Sequence, residues 1–189
     1  MTRGRALGVG AIAALASVLA WLLFVGLPRR YGGPAKASAE PAAAPVPTGR
    51  KIKARLFYVS EEGTQLTSVE RDVAYGEGTA EQAKAIVNAQ IAPVAEPLLS
   101  AVPAGTKLRA LFVTEGNHAY VDLSREVAGA HPGGSLEELL TVYAIVDALT
   151  VNLPAVSAVQ VLVDGKEVDT LVGHVDLRRP LAKNLAWIE

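Results

Sequence analysis

The chain contains no cysteine, and that one absence excludes disulfides, thiolate metal sites, a cysteine nucleophile and a lipidated cysteine anchor together. Stability must then come from packing alone, and the zero count is compatible with an oxidising compartment. Charge imbalance is also missing: 18 Lys and Arg against 19 Asp and Glu leave a net charge of -1. A sequence-independent nucleic-acid binder needs a basic field to displace counterions, so nucleic acid is not an expected partner. Histidine is scarce, with three in 189 residues, and no serine sits in a G-x-S-x-G elbow. At 50% hydrophobic and 20% charged, the chain has room for one ordinary domain and an appendage.

The appendage is N-terminal. Ala6 to Leu27 carries no charge and is dominated by Ala, Leu, Val and Ile, about 22 residues where a bilayer core needs about 20. The spacing predicts a transmembrane signal-anchor within 1–30. Arg3 and Arg5 precede it and Arg29 and Arg30 follow it, so charge alone does not orient it; a first span with almost no sequence before it behaves as an export signal, placing the rest outside the cytoplasm. Ala37-Ser38-Ala39 fits a small-residue cleavage pattern but lies well beyond the apolar run, which favours an uncleaved anchor. Residues 31–50 hold Pro34, Pro41, Pro45 and Pro47 among alanines and read as a semi-rigid spacer. The folded part is expected over 51–189.

That part is organised around Ser135 to Lys166. Leu136, Leu139, Leu140, Tyr143, Val146 and Thr150 recur at three and four, and Val142, Ile145, Leu149 and Leu153 fill a second stripe, the pattern of a buried helix. Ser135 and Glu138 have the spacing of a capping box, and Pro154 stops the helix. Val159, Val161 and Val163 lie in a run apolar on both faces, which predicts a central strand. Asp164-Gly165 supplies a type I′ turn, with Lys166 to Thr170 returning antiparallel. The helix laid across this hairpin is the expected core.

Upstream, Ile52 to Val59 and Leu66 to Val73 read as an antiparallel strand pair, the second more polar and near a sheet edge. Thr79 and Gln82 suggest another capping box, before a helix with Ala83, Ile86, Val87, Ile91 and Val94 on one face, ended by Pro93 and Pro97. Leu108 to Val113 and Ala119 to Leu123 form a second hairpin, and Leu181, Leu185 and Ile188 suggest a short helical turn that docks Trp187. The order implies an α+β fold, a mixed or antiparallel sheet with two helices packed on one face.

The combination of Arg55-Leu-Phe-Tyr-Val, Ser68-Val-Glu-Arg-Asp-Val73, Val102-Pro-Ala-Gly-Thr-Lys-Leu108, Ala119-Tyr-Val-Asp-Leu-Ser124, the Leu140 to Thr150 helix, Val159-Gln-Val-Leu-Val-Asp-Gly-Lys166 and Gly173-His-Val-Asp-Leu177 resembles the GerMN domain of sporulation and spore-germination proteins, over nearly all of Arg55 to Leu181. The resemblance implies an extracytoplasmic α+β module on a membrane or lipid anchor, similar in architecture to the ring-building motifs of secretion and sporulation channels. It brings no catalytic residue set. Two departures stand out: the lipobox cysteine is missing, which shifts anchoring to Ala6 to Leu27, and only one copy of the domain fits.

His118, His131 and His174 with Asp122 and Asp176 are the one constellation that suggests metal or acid-base work. His118 and Asp122, four apart on a strand, stand about 13 Å apart and cannot share an ion without a bulge. His131 lies in a glycine-rich loop where an exposed histidine needs no purpose, and His174 reads as a structural hydrogen-bonding group. Asp147 interrupts an apolar helix, and a buried carboxylate must be paired or neutralised; the reading is that it reaches the edge of the helix-sheet interface or hydrogen-bonds to a strand. Ser60, Ser124 and Ser135 fall in turns or caps, and Gly133-Gly134 alone does not make a phosphate cradle. No catalytic, metal or cofactor residue is therefore assigned. The expected function is an assembly or interaction module tethered to the membrane, engaging either a second copy of itself or an envelope protein through an exposed sheet edge or hairpin such as Leu66 to Val73. The alternative is a small-ligand-binding or metal-dependent envelope enzyme.

Overall fold

The computed structural model describes Trp21 and residues 49–189. The expected span at 1–30 and spacer at 31–50 lie outside the described residues, apart from Trp21, Gly49 and Arg50. Among the described residues no helix is long and apolar enough to cross a membrane. The elements in order are β1 (Lys51–Val59), β2 (Leu66–Ala74), α1 (Gly78–Ile91), β3 (Leu108–Val113), β4 (His118–Leu123), α2 (Glu126–Gly129), α3 (Ser135–Asn152), β5 (Ala158–Val163), β6 (Lys166–Glu167), β7 (Leu181–Ala182) and a 3-10 turn at Leu185–Trp187.

The α+β class holds, but the strands form two sheets and not the single expected one. β1 and β2 make an antiparallel ribbon, in register from Lys51 opposite Ala74 to Val59 opposite Leu66. The second sheet runs β3-β4-β5-β6, with β7 also on β5. β4 and β5 are parallel, which requires a crossover, and α3 supplies it.

The buried face of α3, including Leu140, Val142, Ile145, Val146 and Leu149, belongs to one core with Leu56, Phe57 and Tyr58 of β1, Ile86 and Val87 of α1, and Val159 and Val161 of β5. The expected centre, α3 across the β5-β6 hairpin, is thereby corrected: α3 packs chiefly on β1 and α1 and less on β5. The turn itself is as expected, with Asp164 at φ 49° and Gly165 at φ 77°, the left-handed pair of a type I′ turn. The return strand is only Lys166–Glu167, paired with Val163 and Leu162, and not the five residues expected.

Neither capping box forms. Gly134 and Glu77 precede the two helices without a side-chain cap. Gln82 instead accepts the Gly76 N-H at 2.9 Å and donates to the Ala74 carbonyl at 3.1 Å, tying α1 to the end of β2. Glu138 also turns away from its own helix start, as described below.

Two other side-chain amides complete the ribbon. Gln90 of α1 accepts the Phe57 N-H at 2.9 Å and donates to the Phe57 carbonyl at 2.6 Å. Asn152 of α3 does the same for Arg55, accepting its N-H at 2.8 Å and donating to its carbonyl at 2.7 Å. A primary amide carries the donor and acceptor of a peptide group, so each replaces one residue of an absent neighbouring strand. Gln90→Leu therefore strands two buried backbone groups and is expected to lower stability by about 2–4 kcal/mol. Asn152→Ala, at a more exposed position, costs about 1 kcal/mol. Urea midpoints of the full chain check the order; a Gln90→Leu variant no less stable than Asn152→Ala contradicts the assignment.

Candidate functional site

The hydrogen-bond parity of the ribbon follows from these amides. Phe57 and Arg55 turn their backbone groups away from β2, as does Val59, whose N-H reaches the Leu99 carbonyl at 2.8 Å. The even-numbered residues of β1 therefore bond β2, and since opposed positions sum to 125, Thr67, Val69, Arg71 and Val73 face β1. Leu66, Ser68, Glu70, Asp72 and Ala74 face outward. Two of these are taken: the Leu66 carbonyl accepts the Glu189 N-H at 3.0 Å, and Ala74 holds Gln82. Among the described residues nothing bonds the backbone of Ser68, Glu70 or Asp72. Glu70, Arg71 and Asp72 are exposed, so the outer edge of β2 is a free row of strand donors and acceptors.

Two buried carboxylates of α3 fix the C-terminal segment beside this ribbon. Glu138 is fully buried, yet its oxygens accept the N-H groups of Leu171 at 2.7 Å, Val172 at 3.1 Å and His174 at 2.8 Å, with His174 Nδ1 at 3.2 Å. Burial pushes its pKa up, but the backbone donors together outweigh that and hold it below the usual range. Asp147 has the opposite balance. It is fully buried, accepts one bond, from the Asn184 N-H at 3.0 Å, and its Oδ2 has no partner. Burial pushes its pKa up to about 6, against the smaller pull of Asn184 and of the Lys183 charge. The expected interface bond is thus a clasp on the tail just after β7.

The remaining candidates are dispersed. Asp122 is buried and accepts the Gly165 N-H at 2.7 Å, holding the β5-β6 turn. Asp176 is exposed and paired with Arg178 at 2.7 Å, which keeps its carboxyl far below the usual range. His174 takes the structural role expected. His131 does not fit the free-loop expectation: its Nδ1 accepts the Gly133 N-H at 3.0 Å, so Nε2 carries the proton and meets the Thr141 hydroxyl at 3.1 Å. Thr141 in turn donates to the Ala101 carbonyl at 2.6 Å, pinning the loop between α1 and β3. Under that loop lies an apolar groove of about 620 Å³, bordered by Val59, Ile91, Val94, Leu98 and Leu140. Among the described residues no His, Asp and Glu group could hold a metal ion. Gly134 stands at φ 96°, with the Glu137 carboxylate over the place a Cβ would take, so a side chain there would have to displace it.

Sequence reasoning passed over Gln90 and Asn152 and read Glu138 as a helix cap. Each occupies the apolar stripe of its helix: Gln90 follows Ala83, Ile86 and Val87, while Glu138 and Asn152 flank Val142, Ile145 and Leu149. A polar group on a core-facing stripe must find buried partners, and that is the signal the sequence carried.

The Germane family, described as sporulation and spore germination, matches residues 55–169. A candidate lipoprotein from Clostridium perfringens is similar in structure at 21% identity and a TM-score of 0.51, over 70% of this chain and 88% of that one. The tandem GerMN domains of the sporulation protein GerM from Bacillus subtilis are similar at 15% identity and a TM-score of 0.52, over 72% of this chain and 46% of that one; the likeness spans about half the tandem. No curated protein matches the sequence.

Asp147 has a folded pKa raised from 3.8 to about 6, so its neutral form is the one the fold favours. Its contribution is fully present below about pH 4 and is lost as the pH rises to about 6. Asp147→Asn, which keeps an oxygen for Asn184 and drops the charge, is expected to raise stability at pH 7 by about 1–2 kcal/mol and to flatten the change between pH 4 and 6. Thermal melts across that window check it; an unchanged pH profile contradicts it.

Proposed function

The chain belongs to the Germane family of sporulation and spore germination, and from that premise we propose that it is a membrane-tethered, extracytoplasmic interaction module of the cell envelope, acting by assembly and not by a reaction. The tether is the uncharged run Ala6 to Leu27, the spacer is 31–50, and the module is 51–189. The naming of its Clostridium perfringens structural relative as a candidate lipoprotein supports an envelope setting.

The open outer edge of β2 carries the reading. A strand bonded on one side presents backbone groups that pair with any extended chain of suitable register. The ribbon is also well braced for that role, since α1 and α3 hold its other side through Gln90 and Asn152. Among the candidate chemical groups, by contrast, Asp122, His131, His174 and Asp147 are each engaged in holding a loop, a turn or the tail.

A photo-crosslinking residue placed at Ser68 in the full-length protein, in cells, is expected to capture a discrete partner. The same probe at exposed Lys107, on the loop that leads into β3, is expected to capture it at least about fivefold less, because strand addition is local to the edge. Equal capture at the two positions, or none at Ser68 with the protein intact and abundant, overturns the reading.

A further inference from the structure

The free part of the β2 edge has defined limits and a defined charge pattern. It offers the N-H and C=O groups of Ser68, Glu70 and Asp72, and it is closed at one end by the bond from Glu189 to Leu66 and at the other by Gln82 on Ala74. A guest strand is therefore about five residues long, or roughly 17 Å. The side chains of Ser68, Glu70 and Asp72 share a face, and opposite them on β1 stand Phe57, Arg55 and Lys53. Lys53 Nζ reaches Asp72 at 2.8 Å. The face thus carries a basic row on β1 and an acidic row on β2, and the next row out is bordered by Glu70 and Asp72.

The same parity works against a second copy of this edge. Two antiparallel β2 edges oppose even residues to even residues, so Glu70 meets Glu70, Asp72 or Ser68 of the other copy. The first two registers set like charges directly opposite each other, which is destabilising. The third brings Asp72 against Leu66, whose carbonyl is already held by Glu189. The side of β1 turned away from β2 is at most a short alternative acceptor, since Arg55, Phe57 and Val59 are occupied by Asn152, Gln90 and Leu99 and leave only Lys51 and Lys53 at its start.

Resting on the reading of this ribbon as an interaction surface, we propose that β2 accepts an antiparallel strand from a different protein, with Lys or Arg at alternate positions opposite Glu70 and Asp72. The backbone row supplies the attachment, and the two carboxylates set register and select against acidic strands.

The test uses the full chain in detergent micelles and two seven-residue probe peptides, one with lysine at alternate positions between valine and threonine and one with glutamate in place of each lysine. The lysine peptide is expected to bind at least about tenfold more tightly, the sum of two favourable cross-strand pairs and two avoided repulsions. It is also expected to slow amide exchange at Ser68, Glu70 and Asp72. The Glu70→Gln/Asp72→Asn variant, folded by circular dichroism, is expected to bring the preference close to one. Equal binding of the two peptides, or binding that leaves those three amides unprotected, overturns the proposal. Protection of the same amides that rises with protein concentration alone also overturns it and assigns the edge to a second copy. If the Ser68 crosslink captures a partner while the peptides show no preference, the interaction reading stands and the basic-strand chemistry fails.

Discussion

The structure depends on two side-chain amides that imitate a strand. Without Gln90 and Asn152, the inner side of β1 presents paired donors and acceptors to two helices that have no backbone groups to return. With them, Phe57 and Arg55 are satisfied by α1 and α3 respectively, and β1 lies in the core with Leu56, Phe57 and Tyr58 all buried. The two helices are thus fixed to the ribbon by hydrogen bonds of definite position, which apolar packing alone does not specify. The closing of one side of the ribbon is also what makes its other side the free one.

The C-terminal segment is governed by a second polar constraint, in which two carboxylates on one helix behave differently because of what surrounds them. Glu138 collects three backbone donors and a histidine, and so remains charged while buried. Asp147 collects one donor and leaves Oδ2 bare. Burial without compensation favours the neutral acid, so the clasp on Asn184 is the weaker of the two. Its strength bears on the edge, since the same tail reaches β2 through Glu189 and the bridge from Ile188 to Leu66.

Much of this was legible in the sequence, and the failures share a cause. The α3 stripe, the valine-rich β5, the Asp164-Gly165 turn and both antiparallel hairpins were written in local periodicity and turn chemistry, which need only near neighbours. The capping boxes at Thr79 and Ser135 were misleading, because S/T-x-x-E/Q states what Gln82 and Glu138 can do locally while the fold offers them better partners at Ala74 and at Leu171 to His174. The division into two sheets was not legible, since it turns on Gln90 and Asn152 contacting residues far away in sequence. Their place on apolar stripes indicated that they are buried, but not what they bond. His131 was mistaken for a free loop group for the same reason.

For function, the arrangement leaves a short, bordered, charge-patterned strand edge on a braced ribbon, in a chain of a family tied to sporulation and germination. The central claim is that β2 is bonded on one side only, and amide hydrogen exchange along β2 in the full chain tests it most directly. The account predicts alternation: slow exchange at Thr67, Val69, Arg71 and Val73, which donate to β1, and fast exchange at Ser68, Glu70 and Asp72. Uniform protection along the strand would contradict it.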